Sequence, residues 1–388
     1  MKRLLTLALA VLLLGAYSAP VGAKGRLHRL PVMTQNLYIG TSVGDVLQAP
    51  PALVPTAVLA AFENIIATDF PERAQTMAQK ILESPPDLIG LQEVEFVASF
   101  DTLTDLFSGN PNFELDFLPI LLAALGGEYE VADGGAAIVE NANISPSNPD
   151  LTHPPFLPMD ETPGSCTPVF PFPGCDFAVL IDSDVILART TGASGVIVTS
   201  NTFTLSYTAF LGRMSAGLAV DVKRGLVAVD ATIRGQDYRF VNTHLEPFNQ
   251  FINLFQTQEL IGTIDFLNFL DPRRTILVGD INSDPRSVTD PTNFPNPSYG
   301  QLISAGYVDT WLLRSGPTRP GFTCCQNSDL LNAQSVLDER IDVVFVRNEA
   351  PRKVNALVLG EDVDEDKTPS GLWTSDHAGV VSRMGFSD

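Results

Sequence analysis

Basic residues are scarce in this 388-residue chain: 24 Lys and Arg stand against 45 Asp and Glu, for a formal net charge of −21. A surface of that sign repels polyanions at long range. Duplex nucleic acid is held largely through Lys and Arg contacts to phosphate, so unassisted binding to it is disfavoured. The same acidity favours solubility and offers oxygen ligands to hard cations. Cysteine is rarer still, with Cys166, Cys175 and the adjacent Cys324 and Cys325. Neither pair has the CxxC spacing or the nearby histidine of a structural zinc site. In an oxidising compartment an even number reads as disulfides, with three connectivities open. A Cys166–Cys175 bridge closing a short loop is the favoured pairing. Histidine is equally sparse, at four residues.

Long apolar runs are confined to the N-terminus. Lys2 and Arg3 precede an apolar stretch from Leu4 to Leu14, broken by Thr6, and small residues lead to Val21, Gly22 and Ala23. That order describes a secretory signal peptide over residues 1–23. The run is too short for a spanning helix, which needs roughly 20 apolar residues. The mature chain is therefore expected to be secreted or periplasmic, with no transmembrane segment and a charge of −23, because the segment removes two cations and no acid.

Along residues 24–388 the pattern alternates strands and helices. Leu30 to Leu37 reads as a strand. Residues 71–83 read as a helix, with Asp69 near its cap, Pro71 in the first turn and apolar residues at Ala74, Met77, Ala78, Ile81 and Leu82. Leu88 to Leu91 is a short buried strand that delivers Gln92 and Glu93 to its end. Residues 145–175 hold 9 of the 29 prolines and read as a long surface insertion. Short apolar strands follow at 177–181, 184–188, 196–198 and 218–222. A hairpin spans 226–233 and 238–243, a helix runs from about Gln250 to Leu270, and strands lie at 275–278, 341–346 and 354–359. Hairpins mixed with helix-linked strands fit an α/β sandwich better than a purely parallel sheet.

Six short words stand at or near strand ends. They are Gln35-Asn36, Gln92-Glu93, Asn242-Thr243-His244, Gly279-Asp280-Ile281-Asn282, Arg340-Ile341-Asp342, and Ser375-Asp376-His377. Each alone is ordinary turn chemistry. Together, in this order, they resemble the motif set of the endonuclease/exonuclease/phosphatase superfamily. The resemblance spans Asn36 to His377. It implies a single domain built as a four-layer sandwich of two packed mixed β-sheets flanked by helices, of the deoxyribonuclease type. It also implies metal-dependent hydrolysis of phosphate esters, more readily diesters.

Such hydrolysis requires neutralising the phosphoryl charge, holding a water in line and stabilising the leaving oxygen. Carboxylate and amide oxygens suit hard cations, Mg2+ first, with Mn2+ or Ca2+ possible. Glu93 with Asn36 beside it is the leading metal site, as the resemblance also implies, and Asp376 is a further ligand. Asp280 is expected to orient or deprotonate the attacking water, and Asn282, two residues on, to donate to a phosphoryl oxygen. His244 and His377 can change charge near neutral pH. The resemblance implies that Asp342 holds His377 protonated against the phosphate. The partner is a phosphate ester, whether nucleic acid, phospholipid head group or small phosphoester. No stable protein partner is expected.

Other features are weaker. The arginines and tyrosine that several family members use near phosphate have only Arg189, Arg213 and Tyr207 as candidates. Phe248, Phe251 and Phe255 follow His244 at the spacing of a core-facing helix, the favoured reading over an aromatic rim for a base or lipid. The acidic run 361–366 lacks the spacing and glycine of an EF-hand and reads as a solvated loop. The Cys324–Cys325 loop is expected to border the cleft, with a plain structural bridge. His28 and His153 read as surface residues.

Overall fold

The computed structural model describes residues 27–141, 156–162, 164–167, 174–190, 197–215, 218–288, 297–317 and 319–387, with side chains left aside at 213–220. Residues 1–23, where a signal peptide is expected, and His153 lie outside them.

Two mixed sheets stack face to face. In the first, strands run in the order Lys353–Leu359, Gly379–Ser387, Leu27–Asn36, Leu88–Gln92, Ser183–Arg189 and Tyr129–Val131, with Ile138–Glu140 also paired to Ser183–Arg189. The second follows the order Ile197–Ser206, Gly225–Ile233, Gln236–His244, Arg274–Asp280, Asp342–Arg347 and Val308–Asp309. Side chains alternate across a strand, so each sheet has two faces to cover. The inner faces meet through Leu30, Val32, Ile186 and Phe386 on one side and Val229, Phe240, Ile276 and Val344 on the other. On the outer face of the first sheet, Met33, Ile89 and Leu187 pack against Phe70, Met77 and Ile81 of the Phe70–Glu83 helix and Phe117 and Leu121 of the Phe117–Ala124 helix. The second sheet is covered by Leu260 and Ile264 of the Gln250–Leu270 helix and Leu302 of the Ser298–Ser304 helix. This is the four-layer α/β sandwich.

Local chemistry sets the boundaries. Asp69 caps the Phe70–Glu83 helix by accepting from the Glu72 N–H at 3.2 Å, and Pro71 occupies its first turn. A cap of this kind is worth about 1 kcal/mol. Between the sheets, close approach requires glycine at position 90, where a Cβ would lie 2.5 Å from Val278 Cγ2 and 2.7 Å from Asn242 Oδ1.

Two expectations need correction, and a third holds except at one residue. The proline-rich insertion is not wholly irregular: Phe156–Met159 is a strand paired with Asp176–Ile181, and Cys166 and Cys175 form a disulfide beside it. These two strands join Phe96–Phe100 and Phe113–Asp116 in a separate four-stranded sheet, which packs with the Val54–Ala67 helix. Phe248, Phe251 and Phe255 are 46 %, 56 % and 56 % exposed. The Gln250–Leu270 helix, which holds Phe251 and Phe255 while Phe248 precedes it, buries Asn253, Leu254, Gln256, Thr257, Leu260 and Ile264 instead, and the Asn253 amide satisfies the Glu246 and Ile281 carbonyls at 2.9 and 3.1 Å. Finally, the acidic run is exposed except for Val363, which is half-buried, and Asp366, which is buried and accepts from the Gly360 and Asp362 N–H groups. His28 is half-buried in the Leu27–Asn36 strand. Among the described residues no single helix is long and apolar enough to cross a membrane.

Candidate active site

Strand register carries the site residues to one edge of the sandwich. In the first sheet Leu27–Asn36 and Leu88–Gln92 run parallel with Asn36 opposite Gln92, so Asn36 and Glu93 leave the sheet side by side. The antiparallel Gly379–Ser387 strand begins at the same edge, and Asp376 and His377 precede it. In the second sheet His244 pairs in register with Asp280, and Asp280 with Asp342. Behind this edge a buried polar link ties the sheets together: Gln92 Nε2 donates to Asn242 Oδ1 at 2.5 Å, and Asn242 Nδ2 donates to the Leu91 carbonyl at 2.7 Å.

All eight site residues read from the sequence meet here, although not all in the expected posture. His377 Nδ1 donates to Asp342 Oδ2 at 2.8 Å, and Asp280 Oδ2 lies 3.8 Å away from the same nitrogen. Asp280 also accepts from the Asn282 N–H at 2.9 Å and from Asn36 Nδ2 at 3.3 Å, and His244 Nε2 stands 3.5 Å from it. Asn36 turns its nitrogen toward Glu93 Oε1, at 3.1 Å, while its oxygen accepts from the Tyr38 N–H at 2.9 Å. In this posture Asn36 orients carboxylates rather than presenting them with a ligand oxygen. Glu93 Oε2 is held by the Ile39 N–H at 2.9 Å. Asn282 uses one amide N–H on the Leu245 carbonyl, at 2.8 Å, leaving the other for a ligand.

The two histidines differ in charge. Burial works against a proton on His377, but Asp342 and Asp376 outweigh it and hold its pKa well above the ordinary 6.5. His244 is driven well below that value by burial and by the charges of Arg224 and His377. Arg224 Nη1 reaches His244 Nδ1 at 3.0 Å. A guanidinium can only donate, so Nδ1 is the acceptor and the His244 proton sits on Nε2, facing Asp280. Burial, then the charge of Asp342, pushes Asp280 up to about 7, with His377 pulling the other way. Asp376 is likewise pushed up to about 7 by burial and by Glu93.

Several partners were not legible as site residues. Arg224 is clamped by Asp182 at 2.6 Å, and behind it Glu95 and Asp184 are buried acids raised well above their ordinary values, by burial first and then by Asp182. Arg73 is fully buried. It donates to the carbonyls of Leu37, Tyr38, Thr68 and Thr374 at 2.7, 3.0, 2.8 and 3.0 Å, binding the Asn36 loop to the Asp376 loop. The suggested phosphate contacts lie elsewhere. Arg189 pairs with Glu128 at 3.4 Å, and buried Tyr207 bonds Thr243 Oγ1 at 2.7 Å. The Arg213 side chain is outside the described residues. The Thr323–Gln326 loop does border the cleft: Cys324 and Cys325 pair with each other, and Cys325 Sγ lies 3.9 Å from His377 Nε2. That loop is stitched to the Ser375–Ala378 segment by Ala378 N–H to the Thr323 carbonyl at 2.7 Å and Gln326 N–H to the Asp376 carbonyl at 2.8 Å.

A divalent cation fits this donor set. Glu93 and Asp376 face one cleft, and Asp376 Oδ1 is buried without a hydrogen-bond partner.

Fold and site together define an α/β sandwich of the deoxyribonuclease type. Residues 60–377 match the model of the Endonuclease/Exonuclease/phosphatase family, and the chain belongs to that family, whose members are phosphoesterase hydrolases. Among solved structures it resembles a family protein from Bacteroides thetaiotaomicron, at 15% identity and TM-score 0.52, covering 94% of this chain and 100% of that one. A mannosyl-6-phosphatase from Bacteroides thetaiotaomicron VPI-5482 is similar at 15% identity and TM-score 0.52, over 91% and 98% of the two chains. TDP2 from C. elegans matches at 14% identity and TM-score 0.50, over 94% and 77%. At these identities the likeness concerns the fold. No curated protein matches the chain in sequence.

Proposed function

We propose that this chain is an exported, divalent-cation-dependent hydrolase of phosphodiesters. The observation that carries the reading is the convergence of Glu93, Asp280, Asp376 and the Asp342-bound His377 on one cleft. Glu93 and Asp376 would hold the cation, which would neutralise the negative phosphoryl oxygens once they leave water. Asp280, raised to about 7, is matched to taking a proton from an attacking water at neutral pH. Imidazolium His377, fixed through Nδ1 by Asp342, directs Nε2–H at a phosphoryl oxygen. Neutral His244 offers Nε2–H beside it, and Asn282 its remaining amide N–H. The acids outnumber the cations at this edge, so a singly charged diester is repelled less than a doubly charged monoester. The Cys166–Cys175 bridge and the N-terminal segment support export, and an oxidising compartment suits both.

The test is turnover of bis-p-nitrophenyl phosphate against p-nitrophenyl phosphate, with magnesium and with chelator. Chelator-sensitive cleavage, faster for the diester, is expected. Its absence on these and on natural diesters would turn the reading toward a non-catalytic binding protein on this fold. Glu93→Gln should shift the magnesium activation curve to higher concentration, and a curve overlaying the wild type would remove Glu93 from the ligand set.

A further inference from the structure

The cleft at the catalytic edge has a volume of about 550 Å³, in the range of ligand pockets. The exposed surface lining it is mainly apolar, although Thr41 and Ser42 border it beside the Val43–Gln48 helix. Beyond Glu93 and Asp376 its walls are Leu47 of the Val43–Gln48 helix, Val58 and Phe62 of the Val54–Ala67 helix, and Val97 and Leu180 of the four-stranded sheet. Val58, Phe62, Val97 and Leu180 belong to one apolar cluster whose buried side is that small sheet, so the trough is built on packed secondary structure. Phe248 carries the apolar lining out to the mouth, 46 % exposed.

Such walls have no use for a sugar or a polynucleotide. Hydroxyls and base edges placed against them would give up water without gaining partners. A polynucleotide also needs several cations along its backbone. Among the described residues lining the cleft the Lys and Arg side chains are Lys223 and Arg224, and Arg224 is already engaged by Asp182 and His244.

We infer that the substrate is a lipid phosphoester, with its phosphate at the Glu93, Asp280 and His377 end and its aliphatic chain in the trough between the two helices and the four-stranded sheet. This rests on the phosphoesterase reading and adds the substrate class to it.

Alkylphosphonates, whose P–C bond is not hydrolysed, test the trough in the full chain with magnesium. Methyl-, butyl-, hexyl- and octylphosphonate are compared as inhibitors of bis-p-nitrophenyl phosphate turnover and, separately, as ligands in thermal shift. From butyl to octyl the inhibition constant should fall about fourfold per methylene, equivalent to the ~0.8 kcal/mol of a buried CH₂. Ala61→Phe, which narrows the trough, should flatten that dependence to below about twofold per methylene. Should the variant not fold, the wild-type series decides alone. A constant that does not change with chain length overturns the lipid inference and leaves the phosphoesterase reading standing. Absent turnover of the diester overturns the latter, and the thermal-shift series then still reads the trough. A short single-stranded oligonucleotide that inhibits as strongly as octylphosphonate would overturn the lipid reading in favour of nucleic acid.

Discussion

His377 Nδ1 bonds Asp342 Oδ2 at 2.8 Å, whereas His244 Nδ1 faces the Arg224 guanidinium at 3.0 Å. One histidine meets a carboxylate and the other a cation, so the fold stores one imidazolium and one neutral imidazole a few ångströms from the same Asp280.

Stability should carry both signatures, with opposite signs. The folded pKa of His377 is raised, so its contribution is complete below about 6.5 and is lost as pH rises through the folded value. The folded pKa of His244 is depressed, so its contribution is present above about 6.5 and is lost as pH falls toward the folded value. In chelator-treated protein, His377→Gln should weaken the fall in Tm on the alkaline side, and His244→Gln the fall between about pH 6.5 and 5. If either variant's Tm profile runs parallel to the wild type across its window, the corresponding charge assignment is wrong.

Asp280 is the residue at which catalysis and stability should part. Asp280→Asn removes the acceptor for the water's proton, and turnover should drop by about 10²–10⁴. Its carboxyl is already pushed up to about 7 by burial and by Asp342, so a neutral amide sits there without the cost of an ion. Tm at pH 7 should hold or rise. A variant that keeps most of its rate would remove Asp280 from the base role.

Much of this was legible in the sequence because strand ends announce themselves. The words around Asn36, Glu93 and Asp280 close apolar runs that read as strands, Asp342 opens one, and His377 precedes another; parallel or antiparallel register then brings them together. Arg224 and Arg73 could not be read this way. Each acts through contacts more than 30 residues away, with Asp182 and Thr374, and a lone arginine in a sequence does not reveal a buried partner. The phenylalanines of the Gln250–Leu270 helix misled for a related reason. Their spacing marks one face, but the helix buries another, where Leu260 and Ile264 pack on the sheet and Asn253 and Gln256 satisfy the backbone of neighbouring loops. Of the small sheet only the strand at 177–181 was read, and Phe156–Met159 was hidden by the prolines around it.

Packing between the sheets yields a third expectation. A methyl at position 90 would press on Val278 and on the Asn242 amide that anchors Gln92. Overpacking of this kind costs about 1–3 kcal/mol. Gly90→Ala should lower the urea midpoint at an unchanged m value. An unaltered midpoint would mean that the sheets have slack behind the site.

Arg224 joins stability to the chemistry of His244. Its removal in Arg224→Met leaves Asp182 as an uncompensated carboxylate beside Glu95 and Asp184; burial raises all three, Glu93 adds to Asp182, and Asp182 adds to the other two. Breaking one side of a buried ion pair costs about 3–5 kcal/mol. Adding Asp182→Asn should recover much of that loss, since the orphaned charge goes with it. It should not recover turnover, because nothing then holds His244 Nδ1 as an acceptor and the proton is free to leave Nε2. Nitrogen chemical shifts of the His244 ring report the tautomer directly. A double variant that regained both stability and rate, with Nε2 still protonated, would show that Arg224 serves Asp182 alone.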